Sequence, residues 1–193
     1  MTLLARARID GKALPPHILS SYYMLLIVAG NETTRNAISG GLHAFLENPA
    51  RWDELAADPA LAKDAGEECL RWSTPVVQMA RTATRDTELR GQKIREGDTL
   101  ACFYASANRD ERVFADPYTF RFDRRPNPHL AFGIGEHFCV GAHLARIEIR
   151  SMLRRLTARF ERFETAGRPT RLQSSTTGGW KRLPVRYRFK RWA

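Results

Sequence analysis

The stretch FGIGEHFCVG, residues 132–141, decides the fold. Cys139 stands just before a segment, residues 141–160, whose pattern predicts a helix rich in arginine. Backbone N–H groups and the positive end of the helix dipole favour a thiolate at this position over a thiol. The flanking glycines let the backbone approach a flat ligand, where a Cβ atom would collide. A lone cysteine in an open glycine loop is typical of an axial heme ligand.

Two other interpretations of Cys139 remain open if this stretch is considered alone. A single cysteine is more often a small buried apolar residue than a ligand. A zinc site formed by His137, Cys139 and His143 is also conceivable, but it lacks a clear fourth ligand and the paired spacing of structural zinc sites.

A second motif, ECLR, lies at residues 68–71. Glu68 and Arg71 are three residues apart, so a helix places them on one face, where they can meet. Glu67 and Arg71 could instead form an ordinary exposed pair. The apolar neighbours favour partial burial, which requires a complete hydrogen-bond network to which Arg124 or Arg125 could contribute.

A third motif lies inside a long predicted helix, residues 17–46, which is apolar on nearly every side over residues 22–28. Such a segment is expected to be buried. An ionised Glu32 beside it is costly unless it faces water or a polar site. Glu32 and Thr33 could form a short proton relay beside a groove at Gly30, or they could cap a local kink in the helix.

These motifs occur in a fixed order, and together they resemble the cytochrome P450 family, in particular its soluble bacterial branch. AGNETT at residues 29–34 is similar to the oxygen-activation segment, ECLR to the E-x-x-R motif and residues 132–141 to the heme-binding signature. Further resemblance is carried by residues 81–83, 107–110 and 126–129. The resemblance covers nearly the whole chain, yet it corresponds only to the C-terminal half of the family's length.

The resemblance implies a site for heme b and for dioxygen as co-substrate. Cys139 would be the proximal thiolate and so the metal ligand, while Glu32 and Thr33 would be catalytic and deliver protons to dioxygen. Glu68 and Arg71 would form the structural network behind the heme, with Arg124 chosen over Arg125 as its third member. The remaining cofactor-binding residues would contact the ring or its propionates: Phe132, Gly133, Gly141, Arg81, His129 and His137.

For the fold, the resemblance implies a mainly α protein with small β-hairpin patches, the C-terminal portion of the P450 fold. Residues 1–193 would be a single partial domain without the N-terminal half. The local patterns predict short helices over 49–58 and 59–72 and β-like pieces over 76–104. They also predict an ordered loop over 116–127 and a hairpin in the tail, residues 168–192.

For function, the resemblance implies a heme-thiolate monooxygenase that inserts one atom of dioxygen into a small apolar substrate. Electrons would come from an acidic ferredoxin-type partner, docked on the basic helix after Cys139, which carries Arg146, Arg150, Arg154, Arg155 and Arg159. The alternative is a truncated, catalytically incompetent heme-binding fragment of such an enzyme. Because the segments that would roof the substrate pocket are missing, the sequence does not identify the substrate.

Composition narrows the setting further. The chain has 31 Lys+Arg against 21 Asp+Glu, and residues 141–193 alone hold 14 basic and 3 acidic side chains. This asymmetry favours one basic face over nucleic-acid binding. The apolar run at residues 22–30 is far shorter than the roughly 20 residues of a membrane helix, and no secretory leader is recognised. Three widely spaced cysteines favour a reducing, cytoplasmic setting.

Overall fold

The structure, a computed structural model, describes residues 2–191. Helices dominate, as the sequence predicts, and single 3-10 turns occur at Pro59–Leu61 and Gly135–His137. The α-helices in the described residues are α1 (Thr2–Ala5), α2 (Pro16–Glu47), α3 (Pro49–Ala57), α4 (Ala62–Ser73), α5 (Tyr104–Ala107) and α6 (Ala142–Arg159).

The strands form small two-stranded antiparallel sheets, in which β1 pairs with β2, β3 with β6, β4 with β5, β7 with β10 and β8 with β9. Their bounds are β1 (Arg8–Ile9), β2 (Lys12–Ala13), β3 (Gln78–Thr82), β4 (Thr87–Leu89), β5 (Gln92–Ile94), β6 (Thr99–Phe103), β7 (Phe160–Thr165), β8 (Thr170–Arg171), β9 (Trp180–Arg182) and β10 (Val185–Phe189).

The helices begin and end close to the sequence signals that predict them. Pro16 occupies the first turn of α2, where its missing N–H costs no hydrogen bond, and Asn48 separates α2 from α3. A tight turn at Arg90 and Gly91, both with positive φ, joins β4 to β5. No helix or strand occurs within residues 108–134, all of which are described, so the predicted loop is longer than its prolines indicated.

The C-terminal sheet differs from the predicted tail hairpin. β8 and β9 do pair within the tail, but β10 returns to pair with β7, which directly follows α6. The aromatic rings of Phe160, Phe163 and Tyr187 pack together on this sheet and give the distant strands a shared apolar face. The last residues of the predicted hairpin lie outside the described residues.

The core lies where the second half of α2 packs against α4 and α6. Phe45 from α2, Trp52 from α3 and two loop residues, Phe120 and Phe122, form its aromatic centre. At Gly41 the two helices α2 and α4 approach so closely that an added Cβ would lie 2.5 Å from the Sγ of Cys69. Burial raises the pKa of the Cys69 thiol, so this cysteine is a packed, unreactive core residue.

Gly41→Ala is therefore expected to lower the free energy of unfolding, by up to about 2 kcal/mol. Overpacking against Cys69 costs roughly 1–3 kcal/mol, which outweighs the gain of about 1 kcal/mol from replacing a helical glycine. Gly30→Ala is the matched control on the same helix, since no atom lies within 4 Å of its added Cβ. Denaturant unfolding measures both variants. A Gly41→Ala chain stabilised as much as Gly30→Ala would contradict the close packing.

The first half of α2 is open to solvent instead of buried. Its apolar side chains have between 44% and 65% of their surface exposed: Tyr22, Met24, Leu25, Leu26, Ile27 and Val28. We name this set the exposed α2 face. It borders an open groove lined by Ser20, Ser21, Met24, Leu25 and Val28. Within residues 2–191, no helix is long and apolar enough to span a membrane.

Candidate functional site

Cys139 lies at the junction between the glycine loop and α6. Its N–H donates a hydrogen bond to the carbonyl oxygen of Phe132 at 3.0 Å, and its own carbonyl accepts one from the Ala142 N–H at 3.2 Å. The loop is thus closed back on itself immediately before the helix. The thiol is free and exposed, in contrast to the buried Cys69. This position combines access with the amide-rich end of a helix, which is where a thiolate ligand is favoured.

The surroundings of Cys139 fit a large flat apolar group. Four apolar side chains of the loop and the first turn of α6 are left exposed: Ile134, Phe138, Val140 and Leu144, of which Val140 is 92% exposed. Gly133 and Gly135 have φ values of +70° and +74°, the left-handed region that favours glycine. A Cβ at Gly135 would meet open space, so this part of the loop presents bare backbone to a ligand.

The zinc interpretation finds no support in the geometry. Among residues 2–191, no group of three or more His, Cys, Asp or Glu side chains is placed to hold a metal ion. Cys139 is therefore a single sulfur donor in an open apolar loop, and such a donor would suit an iron that a macrocycle already holds.

Glu68 and Arg71, which precede this loop in the sequence, form a fully buried ion pair on α4. The guanidinium donates to both carboxylate oxygens, with Nε–Oε2 at 2.7 Å and Nη2–Oε1 at 2.6 Å. The Glu68 carboxylate accepts three further hydrogen bonds, from the Arg121 N–H at 3.0 Å, the Asn127 amide at 3.2 Å and Arg124 Nε at 3.4 Å. The exposed-pair alternative is thereby replaced by a buried network.

Arg124 and Arg125 were the two candidates for the third member of the Glu68–Arg71 network, and their contacts differ. Arg124 reaches Glu68, whereas Arg125 is exposed and forms an ion pair with Asp64 at 2.6 Å. Arg71 also donates to the backbone carbonyls of Asn108 and Pro117 at 2.8 and 2.9 Å. These bonds tie α4 to residues 108–127, which have no regular structure of their own.

Asn108 is a buried member of this network that the sequence analysis did not single out. Its side-chain oxygen accepts a hydrogen bond from the Leu130 N–H at 2.7 Å, and its amide donates to the Thr74 hydroxyl at 2.9 Å. Its position inside the motif at residues 107–110 was the available signal. Asn108 connects the end of α4 to the segment that leads into the cysteine loop.

Glu32 and Thr33 lie on α2, one turn or less from Gly30. The Thr33 hydroxyl donates to the Ala29 carbonyl at 2.7 Å, and α2 continues through this point without interruption. Arg35 and Asn36 donate to Glu32 at 2.6 and 3.3 Å. The hydrogen bond from Arg35, more than any other interaction, lowers the pKa of Glu32, so its carboxylate is held ionised. Both side chains are partly exposed.

The residues predicted to bind propionates fall into two groups. His137 is exposed within the 3-10 turn, and Arg81 is half-buried on β3, where it donates to the Ala80 carbonyl at 2.8 Å. The side chain of His129, by contrast, is only 2% exposed and contacts Glu67 at 3.1 Å. A propionate role for all three stays a prediction, although His129 is already engaged within the protein.

Glu67 and Arg146 form a pair that the sequence analysis did not predict. They form a double hydrogen bond at 2.8 and 3.0 Å, although 79 residues separate them. Burial raises the pKa of Glu67, but the hydrogen bonds from His129 and Arg146 outweigh it and hold this pKa at about 2. Such a separation leaves no local spacing signal for this pair.

The fold is helix-rich, with an exposed cysteine just before α6 and a buried Glu68–Arg71 network on α4. The sequence model described as cytochrome P450 matches residues 60–190, and the chain belongs to the cytochrome P450 family. This confirms both the predicted family and the predicted fold class.

Named relatives agree with this family. The chain is 48% identical over 184 residues to a methyl-branched lipid omega-hydroxylase of Mycobacterium tuberculosis, covering 94% of the chain and 43% of the relative. It is 42% identical over 188 residues to a steroid C26-monooxygenase of the same species, covering 97% and 43%. The crystal structure of CYP108D1 from Novosphingobium aromaticivorans superposes with a TM-score of 0.93 at 41% identity, covering 98% of this chain and 46% of the other.

The chain thus spans less than half the length of these three proteins.

Proposed function

We propose that this chain is the heme-binding portion of a P450 monooxygenase. The reaction would insert one atom of dioxygen into a C–H bond of a small apolar substrate and reduce the other atom to water. The single observation that carries this proposal is the exposed Cys139 thiol at the start of α6, within a loop that presents apolar side chains and bare backbone. Relatives named as lipid and steroid hydroxylases support an apolar substrate class.

We propose that heme b is held by residues that the family resemblance implies. Cys139 would supply the thiolate ligand, while Phe132, Gly133 and Gly141 would lie against the ring. Arg81 and His137, which are at least partly open to solvent, are suited to donate hydrogen bonds to its carboxylates. When bound, the heme would supply the redox centre at which the O–O bond of dioxygen is split.

Glu32 and Thr33 would hold and move protons for this chemistry. The Thr33 hydroxyl donates a hydrogen bond to the Ala29 carbonyl and can accept another from a proton donor at the same time. Glu32, held ionised by Arg35 and Asn36, is placed to take up protons from solvent. A side chain at Gly30 would meet no neighbour within 4 Å, so space for a ligand exists one turn away.

The monooxygenase proposal is tested by Thr33→Ala in the chain supplied with the polypeptide segment that covers the exposed α2 face. Without the hydroxyl, we expect electrons to be diverted from product to hydrogen peroxide, with product formed per NAD(P)H falling at least about tenfold. Heme content and substrate binding should not change. Product and peroxide yields are measured together.

Thr33→Ser is the control for this experiment, because it keeps the hydroxyl and loses only the methyl group. It should retain most of the coupling between electron use and product. Equal coupling in Thr33→Ala and the parent protein would contradict the proton-delivery role.

The exposed α2 face favours a second candidate function for residues 1–193 on their own, that of a heme-binding fragment without turnover. Exposed apolar patches of this kind normally mark an interface. A reactive heme centre also needs a sheltered pocket, which the described residues do not enclose on this side. We therefore propose that residues 1–193 are one partial domain that acts with a further segment laid over the exposed α2 face.

We propose that an acidic ferredoxin-type protein docks on α6 to deliver electrons. The exposed arginines of this helix are Arg150, Arg154, Arg155 and Arg159, and the segment from residue 141 onward has 14 basic against 3 acidic side chains. Arg146, which the sequence analysis counted with them, is instead held by Glu67. The helix starts three residues after Cys139, and its first exposed arginine, Arg150, lies about 12 Å further along the helix axis.

The double variant Arg150→Glu/Arg154→Glu is expected to slow reduction by an acidic ferredoxin about tenfold or more at low salt, because steering by opposite charge is lost. The parent rate should fall as salt rises, and the variant rate should depend on salt much less. Arg85→Glu/Arg95→Glu, which reverses two exposed arginines outside α6, is the charge-matched control. Stopped-flow reduction rates that are indifferent to salt and to both α6 substitutions would contradict this docking site.

We place this function in the cytoplasm, in line with the three unpaired cysteines Cys69, Cys102 and Cys139.

A further inference from the structure

Glu67 and Glu68 are adjacent on α4, yet they serve two separate networks. Glu68 pairs with Arg71, whereas the carboxylate of Glu67 contacts His129 and Arg146. Glu67 therefore links α4 to two elements on either side of the cysteine loop: the segment that enters the loop and the helix that leaves it.

His129 is fixed within the protein through both ring nitrogens. The Ala131 N–H donates to Nδ1 at 3.3 Å, so Nδ1 is the acceptor and Nε2 carries the proton. Nε2 then donates to the Glu67 carboxylate at 3.1 Å. Because its side chain is also 98% buried, His129 is oriented toward α4 and anchors the chain three residues before Phe132.

Arg146 continues the connection to the loop itself. Its guanidinium binds Glu67 through two hydrogen bonds and lies 4.6 Å from the centre of the Phe132 ring. The ring of Phe132 lies 6.0 Å from that of His129, and its carbonyl accepts the hydrogen bond of the Cys139 N–H. A continuous path of contacts therefore runs from Glu67 to the backbone of Cys139.

We propose that Glu67, His129 and Arg146 form a positioning cluster that fixes the cysteine loop and thereby the direction of the Cys139 thiol. The functional meaning of that direction rests on the proposed heme-thiolate function. The cluster gives His129 a role that differs from propionate binding, and it makes Arg146 a positioning residue instead of a docking residue.

The loop needs such an anchor because its own sequence is permissive. Gly133 and Gly135 both take left-handed conformations, and glycine loses more conformational freedom on ordering than any other residue. A charge-assisted, doubly hydrogen-bonded arginine stacked on an aromatic ring holds one end of the loop more firmly than a single neutral hydrogen bond would. The cation thus stabilises the loop from outside it.

Amide hydrogen exchange of the 193-residue chain without heme tests the cluster directly. In Arg146→Ala and in Glu67→Gln, the Cys139 N–H is expected to exchange at least about tenfold faster, because a charge-assisted bond that anchors its acceptor is lost. Arg146→Lys keeps the charge but loses the planar fork and should restore only part of the protection. Asp64→Asn is the matched control. It weakens the ion pair between Asp64, which also lies on α4, and the exposed Arg125.

Amides in the middle of α4 and α6 are followed in the same samples. If their exchange rises as much as that of Cys139, or if Asp64→Asn has the same effect on Cys139 as Arg146→Ala, the cluster is only a contribution to global stability and the proposal is overturned. Selective loss of protection in the loop supports it.

A second measurement separates this proposal from the proposed function. In heme-loaded protein, Arg146→Ala should increase the fraction of the ferrous CO complex that lacks the red-shifted thiolate band. Faster loop exchange with no thiolate band in the parent chain would uphold the positioning cluster and reject the heme-thiolate function. A thiolate band in the parent that is unchanged in Arg146→Ala would overturn the positioning of Cys139.

Discussion

Arg71→Leu is expected to leave the chain largely unfolded at 25 °C. Removing one partner of a buried ion pair costs about 3–5 kcal/mol, a large part of the roughly 5–15 kcal/mol that stabilises a typical domain. The fully buried Glu68 carboxylate would lose the two hydrogen bonds that Arg71 donates, and the carbonyls of Asn108 and Pro117 would lose their donor. Urea unfolding followed by far-UV circular dichroism measures the loss.

Arg125→Leu is the control for this result. It removes an arginine whose side chain is 75% exposed in its pair with Asp64, so its effect should stay within about 0.5 kcal/mol. The double variant Glu68→Leu/Arg71→Leu should recover part of the lost stability, because the buried carboxylate that lost Arg71 is then also gone. Arg124 loses Glu68 but still donates to the carbonyls of Ala115, Asp116 and Thr119. Equal unfolding midpoints for Arg71→Leu and Arg125→Leu would refute the buried network.

Local signals were sufficient to predict the longer helices α2, α3, α4 and α6, whereas the four-residue helices α1 and α5 were not predicted. Proline in the first turn and the Asn48 boundary place α2 within one or two residues of its observed bounds. The spacing of Glu68 and Arg71 likewise predicts their contact, because three residues on a helix bring two side chains to one face. These features depend only on interactions within one turn or at one boundary.

Features that join distant parts of the chain were not accessible in the same way. The pairing of β7 with β10 is decided by packing of aromatic residues from two strands that are about twenty residues apart. The Glu67–Arg146 pair spans 79 residues, and the arginine was counted with the solvated cations of α6 because its helix is basic throughout. Burial of a charge depends on its tertiary partner, which sequence spacing does not reveal.

The exposed α2 face shows a different kind of limit. Its composition predicts burial, and the described residues supply no cover for it. The apolar residues of the exposed α2 face therefore indicate an interface with another segment, and they do not belong to the core of this chain. Val28 and Met24 belong to the same helix as the buried Ala37 and Ala44, so the helix passes from the exposed face into the core.

Cys139→Ser is the substitution with the greatest expected effect on the proposed chemistry. The Cys139 thiolate is the ligand that the cysteine loop is proposed to offer to iron, and a serine hydroxyl is a much poorer electron donor. Nothing in the packing opposes the change, because the side chain is exposed and its backbone hydrogen bonds do not involve sulfur. The variant should fold as the parent does and differ only in ligation. Cys69→Ser and Cys102→Ser are the matched controls.

The measurement that tests the central claim most directly is the absorption spectrum of the ferrous CO complex of heme-loaded chain. The parent, Cys69→Ser and Cys102→Ser should all show the strongly red-shifted Soret band of thiolate ligation, and Cys139→Ser should not. A red-shifted band that persists in Cys139→Ser, or one that disappears in Cys102→Ser instead, would contradict the assignment of Cys139 as the heme ligand.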